Sequence, residues 1–209
     1  MAGNLKNLYA GTASHPCGEA LFSRSAKHTI FRKPGIYGIL YLDKSVFDKQ
    51  GLEIMEIRKL AESDYDMIVE LYKELDELHV QARPDYFVHR DKDEIYPKDA
   101  FVHNLTHPGV LELGTFENEQ LVGFIRASLW EESGMVRDVK TVCLDNIYVL
   151  PAYRRKGVAA RLFAEVESWA KEQGAIRLDL HTWGFNKSAI ALYQAMGMTP
   201  QRYVFEKKL

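Results

Sequence analysis

The sequence predicts a domain of mixed α and β structure, because strand-like and helix-like segments alternate along most of its length. Two runs with strand character, Val110–Phe116 and Leu121–Trp130, are joined by four polar residues, which is the signal of a β-hairpin. Each of two further strand-like runs is followed by an amphipathic helix that ends at a glycine. These two strand–helix units are Val139–Val149 with Val158–Gln173 and Ile176–Thr182 with Lys187–Met196.

The remaining elements are predicted from the same periodicities. Ile54–Leu60 alternates like an opening strand, and Ser63 is a suitable N-cap for an amphipathic helix that ends before Pro84. Residues 85–97 are rich in charged and aromatic side chains and are predicted to form a loop. The two other predicted elements are a short helix at Lys98–Leu105 and a last strand at Tyr203–Glu206.

Composition excludes several classes of protein. The chain has 209 residues, a formal net charge of −2 and 46% hydrophobic residues, so it is not an intrinsically disordered chain. The balanced charge argues against a nucleic acid or an anionic membrane as the main partner. Two cysteines supply neither a disulfide framework nor a cysteine-based zinc site, and they fit a reducing compartment. We therefore expect a cytoplasmic protein without a membrane span or a metal.

The first 54 residues differ from the rest in charge. They hold seven lysines and arginines and four acidic residues, which gives +3 in a chain whose total is −2. They show no clear periodicity and no secretory signal, and an organelle transit peptide is a weaker alternative. The sequence therefore predicts an extension at residues 1–54, either flexible or outside the native protein, and a folded domain at residues 55–209.

A basic turn between a strand and a helix gives the strongest local signal of function. Pro151 follows the strand, Arg154, Arg155 and Lys156 form the turn, and Gly157 precedes the helix. The free backbone N–H groups at a helix N-terminus bind anions, and a glycine lets a phosphate approach the backbone closely. The segment predicts a diphosphate site, although a solvated basic turn before an ordinary helix explains it equally well.

A second motif decides between these two interpretations. The first block has the form Arg-x-x-Gly-x-Ala at Arg154, Gly157 and Ala159. The second block, in the last predicted helix, comprises Asn186, Ala189, Tyr193 and Gly197. In this order and spacing, the two blocks resemble the GNAT N-acetyltransferase superfamily over residues 55–209. One departure is Met198, where the family usually has phenylalanine.

The resemblance implies a fold and a cofactor. The fold is α+β, with a mixed, mostly antiparallel sheet flanked by helices and two splayed parallel central strands, which is the acyl-CoA N-acyltransferase fold. In this chain those strands are Val139–Val149 and Ile176–Thr182, and acetyl-CoA is expected between them. The main chain of Ile147 and Val149 is expected to pair with the pantetheine arm, and Asn186 to contact the cofactor near that arm. The expected contacts of the diphosphate are Arg154 and the backbone amides of Arg155, Lys156, Gly157, Val158 and Ala159.

The resemblance also implies direct transfer of an acetyl group to a primary amine. A protonated amine is not a nucleophile, so a group must accept its proton, and Asp145 is the candidate base or amine-binding residue. Tyr193 is the candidate acid that protonates the leaving thiolate. The alternatives are a solvent-facing Asp145 without a role and a Tyr193 that only packs on the sheet.

The identity of the acceptor is left open by the sequence. His79, Arg83 and Tyr86 are candidates for contact with a small-molecule, peptide or protein amine, and a charged solvated loop is the alternative. Homodimers are frequent in the family, and the sequence does not decide the oligomeric state. Two other functions are weighed against the enzyme: a non-catalytic acyl-CoA-binding or sensing module, which would not need Tyr193, and a module whose basic turn binds another anion.

Overall fold

One five-stranded sheet organises the part of the chain that the computed structural model describes, residues 55–132 and 139–208. The predicted extension at residues 1–54 lies outside the described residues. The strands are β1 (Glu56–Lys59), β2 (Val110–Glu117), β3 (Gln120–Glu132), β4 (Val139–Val149) and β5 (Arg177–Leu180). The helices are α1 (Tyr65–Ala82), α2 (Lys92–Ile95), α3 (Lys98–Thr106), α4 (Val158–Glu172) and α5 (Lys187–Ala195).

The pairing of the strands confirms the predicted mixed sheet. The order is β1-β2-β3-β4-β5, with antiparallel pairs between the first four strands and a parallel pair between β4 and β5. The parallel pairing runs from Thr141↔Arg177 to Leu144↔Leu180, whereas β4 continues to Val149. Within the described residues, positions 146–149 of β4 are therefore paired with β3 alone, and a gap opens between β4 and the segment that leads from β5 to α5.

A β-bulge interrupts the pairing of β3 with β4. Arg126 pairs with Asn146 and Ala127 pairs with Leu144, so Asp145 is the additional residue on β4. A bulge bends its strand and redirects the side chain of the extra residue. The candidate base therefore stands at the irregular point of β4, where the parallel pairing with β5 also ends.

Two hydrophobic clusters, one on each face of the sheet, hold the helices in place. One cluster joins α1 and α3 to the sheet and includes Ile68, Val69, Phe101, Phe124 and Tyr148. The other cluster joins α4 to the sheet and includes Val142, Leu144, Leu162, Phe163 and Val166. Burial of these side chains is the main driving force for the three-layer arrangement.

Three predictions about individual elements are wrong. Ser63 is not the N-cap of α1, because Glu62–Asp64 forms a 3₁₀ turn and the carboxylate of Asp64 accepts from the backbone N–H of Ala61 at 2.7 Å. The predicted loop at residues 85–97 contains α2, since Asp91 and Glu94 form a reciprocal capping box.

The third wrong prediction is the last strand, Tyr203–Glu206. Residues 201–208 contain no strand. The side chains of Tyr203, Val204 and Phe205 are 75%, 91% and 90% exposed, so neither a described strand nor a described hydrophobic layer covers them. Ion pairs hold the segment instead, from Glu206 to Arg83 and from Lys208 to Asp85, both at 3.1 Å. Among the described strands, β5 is therefore an edge strand of the sheet.

Candidate active site

The basic turn after β4 forms an open cradle at the N-terminus of α4. Arg155 and Gly157 have φ of 62° and 81°, and the helix begins immediately afterwards at Val158. No described side chain caps this end of α4, so its first N–H groups are available to a ligand. A Cβ built on Gly157 meets no described atom within 4 Å, which leaves space above the turn. This geometry fits a bound diphosphate.

Arg154 reaches back from the turn to the end of β4. Its Nε donates to the carbonyl of Val149 at 2.9 Å, and its guanidinium lies 5.4 Å from the ring centre of Tyr148. The Val149 carbonyl is one of the main-chain groups predicted to pair with a pantetheine arm. Because a carbonyl oxygen can accept two hydrogen bonds, a pantetheine amide would share this carbonyl with Arg154.

A cavity of about 340 Å³ lies between the C-terminal half of α1, Arg154 and the start of α5. Asn186 lines it and is also the N-cap of α5, as predicted, because its Oδ1 accepts from the N–H of Ala189 at 3.1 Å. His79 lines it from α1. The cavity thus brings together two predicted cofactor residues, Arg154 and Asn186, and one predicted acceptor residue, His79.

The imidazole of His79 is held in one orientation. Its Nδ1 lies 2.8 Å from the carbonyl oxygen of Leu75, and since a carbonyl can only accept, Nδ1 carries the proton of the neutral ring. The ring centre lies 5.2 Å from that of Phe87 and 6.1 Å from that of Phe185. Nε2 is therefore the acceptor nitrogen of this ring, on the edge opposite the helix backbone.

Aromatic rings form a wall beside the cavity. The ring of Trp183 lies 5.1–5.2 Å from those of Phe87 and Tyr86 and stacks on Phe185 at 6.0 Å. Tyr86 is 57% exposed, so part of this wall faces solvent. The contacts connect the segment after α1 with the segment between β5 and α5. Tyr86 thus lies next to the cavity without lining it.

Arg83 is engaged in ion pairs in this structure. Its Nε lies 2.8 Å from Asp85 Oδ1 and its Nη2 lies 3.1 Å from Glu206 Oε1. These two carboxylates raise the pKa of the Arg83 guanidinium. Arg83 connects the residues after α1 to the C-terminal segment, so an acceptor would have to compete with both carboxylates for it.

Asp145 lies in a largely buried, mixed-charge environment. Its Oδ1 accepts from Ser128 Oγ at 3.0 Å, and its Oδ2 lies 3.9 Å from Arg126 Nε. Burial raises the pKa of Asp145, while Arg126 and the Ser128 hydroxyl counteract that rise. A carboxylate with a raised pKa has more affinity for a proton than an exposed aspartate, which is the property of a base.

Tyr193 is buried on α5, and burial raises the pKa of its hydroxyl. The phenol is therefore protonated at neutral pH and can donate a proton or a hydrogen bond. Neither Tyr193 nor Asp145 lines the 340 Å³ cavity. The cavity thus brings two of the predicted cofactor residues, Arg154 and Asn186, together with His79. The other predicted cofactor residues, at 147, 149 and 155–159, and the two predicted catalytic residues do not line it.

The sequence analysis did not identify Glu112, Arg126 and Trp183. Glu112 and Arg126 are charged residues within strands, and the residues on either side of each are apolar. A charged residue in such an apolar run was the signal that could have identified them. Glu112 is 6% exposed. Trp183 lies close after β5, at the end of a strand that the sequence had already placed beside the cofactor.

The described residues offer neither a metal centre nor a membrane span. No group of three or more histidine, cysteine, aspartate or glutamate side chains in residues 55–132 and 139–208 is placed to hold a metal ion. None of the helices α1 to α5 is long and apolar enough to cross a membrane.

Comparison with known proteins gives concordant results. Residues 68–198 match the acetyltransferase (GNAT) family. An aminoglycoside N(6′)-acetyltransferase type 1 of Acinetobacter genomosp. 13 is 34% identical over 94 residues, which is 44% of this chain and 64% of the relative. The match thus spans less than two thirds of that relative's length.

Solved structures share the fold. A mutant of the protein BH1408 of Bacillus halodurans superposes with a TM-score of 0.69 at 23% identity, over 74% of this chain and 99% of its own. The aminoglycoside N-acetyltransferase AAC(6′)-Iy in complex with CoA superposes with a TM-score of 0.60 at 24% identity, over 74% of this chain and 95% of its own.

Proposed function

Because this chain belongs to the GNAT acetyltransferase family, we propose that it transfers an acetyl group from acetyl-CoA to a primary amine by direct attack. The observation that carries the proposal is the open cradle at Gly157, together with the Asn186–Tyr193 helix segment. These two features flank the gap between β4 and α5. The relatives named as N-acetyltransferases support the same reaction class.

The residues of the cradle fit the diphosphate of CoA. The main chain of Arg155, Lys156, Gly157, Val158 and Ala159 presents N–H groups, and the side chains of Arg155 and Lys156 add positive charge. The unpaired edge of β4 at Ile147 and Val149 offers main-chain partners to the pantetheine arm. Asn186 lies at the same cavity. When bound, acetyl-CoA supplies the activated acetyl group.

Two side chains move protons in this proposal. Asp145 accepts the proton of the acceptor ammonium, directly or through water, and thereby generates the nucleophilic amine. Tyr193 donates to the sulfur of the leaving thiolate, because burial keeps the phenol protonated. A backbone N–H at Ile147 is available to the thioester oxygen. Each of these roles requires the side chain to reach the gap beside β4, and the position of Asp145 at the bulge of β4 supports this for the base.

The acceptor is proposed to be a small-molecule amine that enters beside His79 and Tyr86. The aromatic wall of Tyr86, Phe87 and Trp183 gives a surface on which a cation or a sugar ring can lie. Arg83 contributes at the rim through its ion pairs with Asp85 and Glu206. The relative from Acinetobacter is named for aminoglycosides, and polyamine antibiotics therefore belong in the first substrate panel.

The experiment is release of free CoA thiol from acetyl-CoA by the purified full chain, across aminoglycosides, lysine analogues and peptide amines. We expect acceptor-dependent thiol release together with an acetylated amine in the mass spectrum. A matched reaction with N-acetylated acceptors controls for hydrolysis. No binding of CoA would refute both the enzyme and any module built on the same cradle.

The alternative is a non-catalytic acyl-CoA-binding module. It is favoured by one observation, that Asp145 and Tyr193 do not line the described cavity. Saturable CoA binding without thiol release on any amine of a broad panel would support this alternative. Acceptor-dependent release that falls in Tyr193→Phe would reject it.

A further inference from the structure

Three charged side chains on neighbouring strands form a row in which Glu112 is buried and the other two are partly buried. They are Glu112 on β2, Arg126 on β3 and Asp145 on β4. Arg126 Nε lies 3.2 Å from Glu112 Oε1 and 3.9 Å from Asp145 Oδ2. One guanidinium therefore stands between two carboxylates, nearer to Glu112, and the row carries one surplus negative charge when both acids are ionised.

Tyr96 contacts the same oxygen of Glu112 that faces Arg126. The hydroxyl of Tyr96 donates to Glu112 Oε1, and Asn104 Nδ2 donates to that same hydroxyl at 2.9 Å. Glu112 is only 6% exposed, and its Oε2 is fully buried without a hydrogen bond from any described residue. These contacts restrict the Glu112 carboxylate, which forms a close ion pair with Arg126, although Arg126 Nε makes no hydrogen bond to any described residue.

Asp145 is held from two sides. Ser128 Oγ donates to Oδ1 at 3.0 Å and in turn accepts from Trp130 Nε1 at 2.8 Å. Oδ2 is fully buried, receives no hydrogen bond from the described part of the chain and faces Arg126 at 3.9 Å. The Ser128 hydroxyl thus orients the carboxylate through Oδ1. The negative charge on Oδ2 is compensated by the positive charge of Arg126.

We propose that Arg126, paired with Glu112, is the positioning residue whose positive charge stabilises the Asp145 carboxylate at the bulge of β4. This rests on the proposed function, in which Asp145 accepts the proton of the amine. Arg126 does not touch the acceptor. It acts through Asp145, and Glu112 acts through Arg126.

The Ser128 hydroxyl and the Cys143 thiol also favour the ionised carboxylate of Asp145, but neither group carries a positive charge. The titratable side chains that face it are Tyr72 from α1, Tyr96 from the segment between α2 and α3, Glu112, Arg126, Cys143 and, beyond Cys143, Asp179 of β5. Among these described groups Arg126 is the sole cation. Tyr72, Tyr96 and Cys143 all have raised pKa values and are neutral at pH 7, and the two acids repel a second negative charge.

The test compares Arg126→Met with Arg126→Lys in the full chain. The first readout is the pH dependence of kcat/KM, and the second is the titration of the Asp145 carboxyl carbon by NMR, assigned with Asp145→Asn. Loss of a positive charge at this distance raises the pKa of a carboxylate by about 1–3 units. We therefore expect Arg126→Met to raise both the acid limb of the kcat/KM profile and the NMR titration midpoint by that amount. At pH values below the limb, kcat/KM should fall roughly tenfold for each pH unit by which the limb has moved.

Arg126→Lys should restore both titrations most of the way, because it keeps the charge. Arg202→Met is the matched control, since Arg202 is exposed and bonds only to Gln201 in the described structure, and it should leave both unchanged. If Arg126→Met loses the fold by circular dichroism, Arg126→Gln removes the charge while retaining an amide beside Glu112, and the same shifts are expected.

The outcomes distinguish the role of Arg126 beside Asp145 from the proposed role of Asp145 as the base. An unshifted Asp145 titration in a folded, uncharged variant overturns the role of Arg126. A shifted NMR titration with an unmoved acid limb supports the role of Arg126 but removes Asp145 from the proposed mechanism. A uniform loss of rate at every pH without either shift shows that Arg126 is merely structural.

Discussion

Replacing Gly157 tests the cradle most directly. Its φ of 81° lies in the left-handed region, and a Cβ added there meets no described atom within 4 Å. An L-residue at this φ costs roughly 1–2 kcal/mol of backbone strain, whatever its side chain. Gly157→Ala and Gly157→Glu should therefore lose similar amounts of unfolding free energy. A difference between their affinities for CoA then reflects the size and charge of the side chain at the turn.

The difference is expected to be large. A glutamate carboxylate at this position lies beside the N–H groups of α4 that no described side chain caps, which is the proposed place of the diphosphate. Two like charges about 4 Å apart repel by about 4 kcal/mol at an effective dielectric constant near 20. Since about 1.4 kcal/mol is a factor of ten, Gly157→Glu should bind CoA about a thousandfold more weakly than Gly157→Ala.

Isothermal titration calorimetry with CoA measures this difference, and thermal unfolding verifies that the two variants are equally stable. Gly157→Gln separates bulk from charge, because it has the size of glutamate without the negative charge. Equal affinity of Gly157→Glu and Gly157→Ala for CoA, at equal melting temperatures, would refute the placement of the diphosphate at this turn.

Three other predictions concern Tyr193, the proposed catalytic acid, and the core. Tyr193→Phe should lower kcat about 100-fold or more while leaving the calorimetric affinity for CoA unchanged, because it removes only the proton donor. Asp64→Asn should lower the free energy of unfolding by about 3 kcal/mol at pH 7, since the Asp64 side chain is 3% exposed and accepts from Arg58 at 2.7 and 2.9 Å. Arg58 lowers the pKa of Asp64, so this stabilisation exists above the ordinary value of 3.8 and disappears as the pH falls through the lowered value of the folded state, which denaturant titrations at several pH values will show. Gly114→Ala should destabilise the sheet by about 1–3 kcal/mol in thermal unfolding, because the new Cβ would lie 2.6 Å from Leu121 Cδ1.

Two of these three predictions have a control in the same chain, and the first has a refuting outcome. An unchanged kcat in Tyr193→Phe would remove the phenol from the mechanism. Asp85→Asn breaks an exposed ion pair and should change stability little, so an equal loss in both aspartate variants would contradict the importance of burial. Gly184→Ala adds a Cβ that meets no described atom within 4 Å, and a loss as large as that of Gly114→Ala would contradict the steric argument.

Much of the fold and part of the site could be predicted from the sequence. The hairpin between β2 and β3, the strand β4 and the helices α4 and α5 were predicted with ends that differ by a few residues at most. Asn186 was predicted to be an N-cap and is one, since the N–H that it accepts from lies three residues along the chain. Interactions of this range are encoded within a few neighbouring residues.

The predictions that depended on distant partners were less successful. Tyr203–Glu206 has the composition of a strand, but no described strand lies beside it to accept its hydrogen bonds. The pairing of Arg126 with both Glu112 and Asp145 depends on the registers β2–β3 and β3–β4 and on the bulge at Asp145. No local pattern gives a register, because side-chain contact across strands joins residues that are far apart in the chain.

The sequence by itself determined that this chain has a basic turn before a helix N-terminus, a capped second helix and the family motif to which both belong. The turn and the cap arise from backbone dihedral angles and hydrogen bonds within single segments, which residue types specify directly. Only the tertiary structure decided that Asp145 lies at a bulge near Arg126 and that His79, Asn186 and Arg154 line one cavity. It also decided that Arg154 donates to the carbonyl of Val149. These contacts form when separate elements pack together, and their geometry is set by strand register and by the packing of α1 on the sheet.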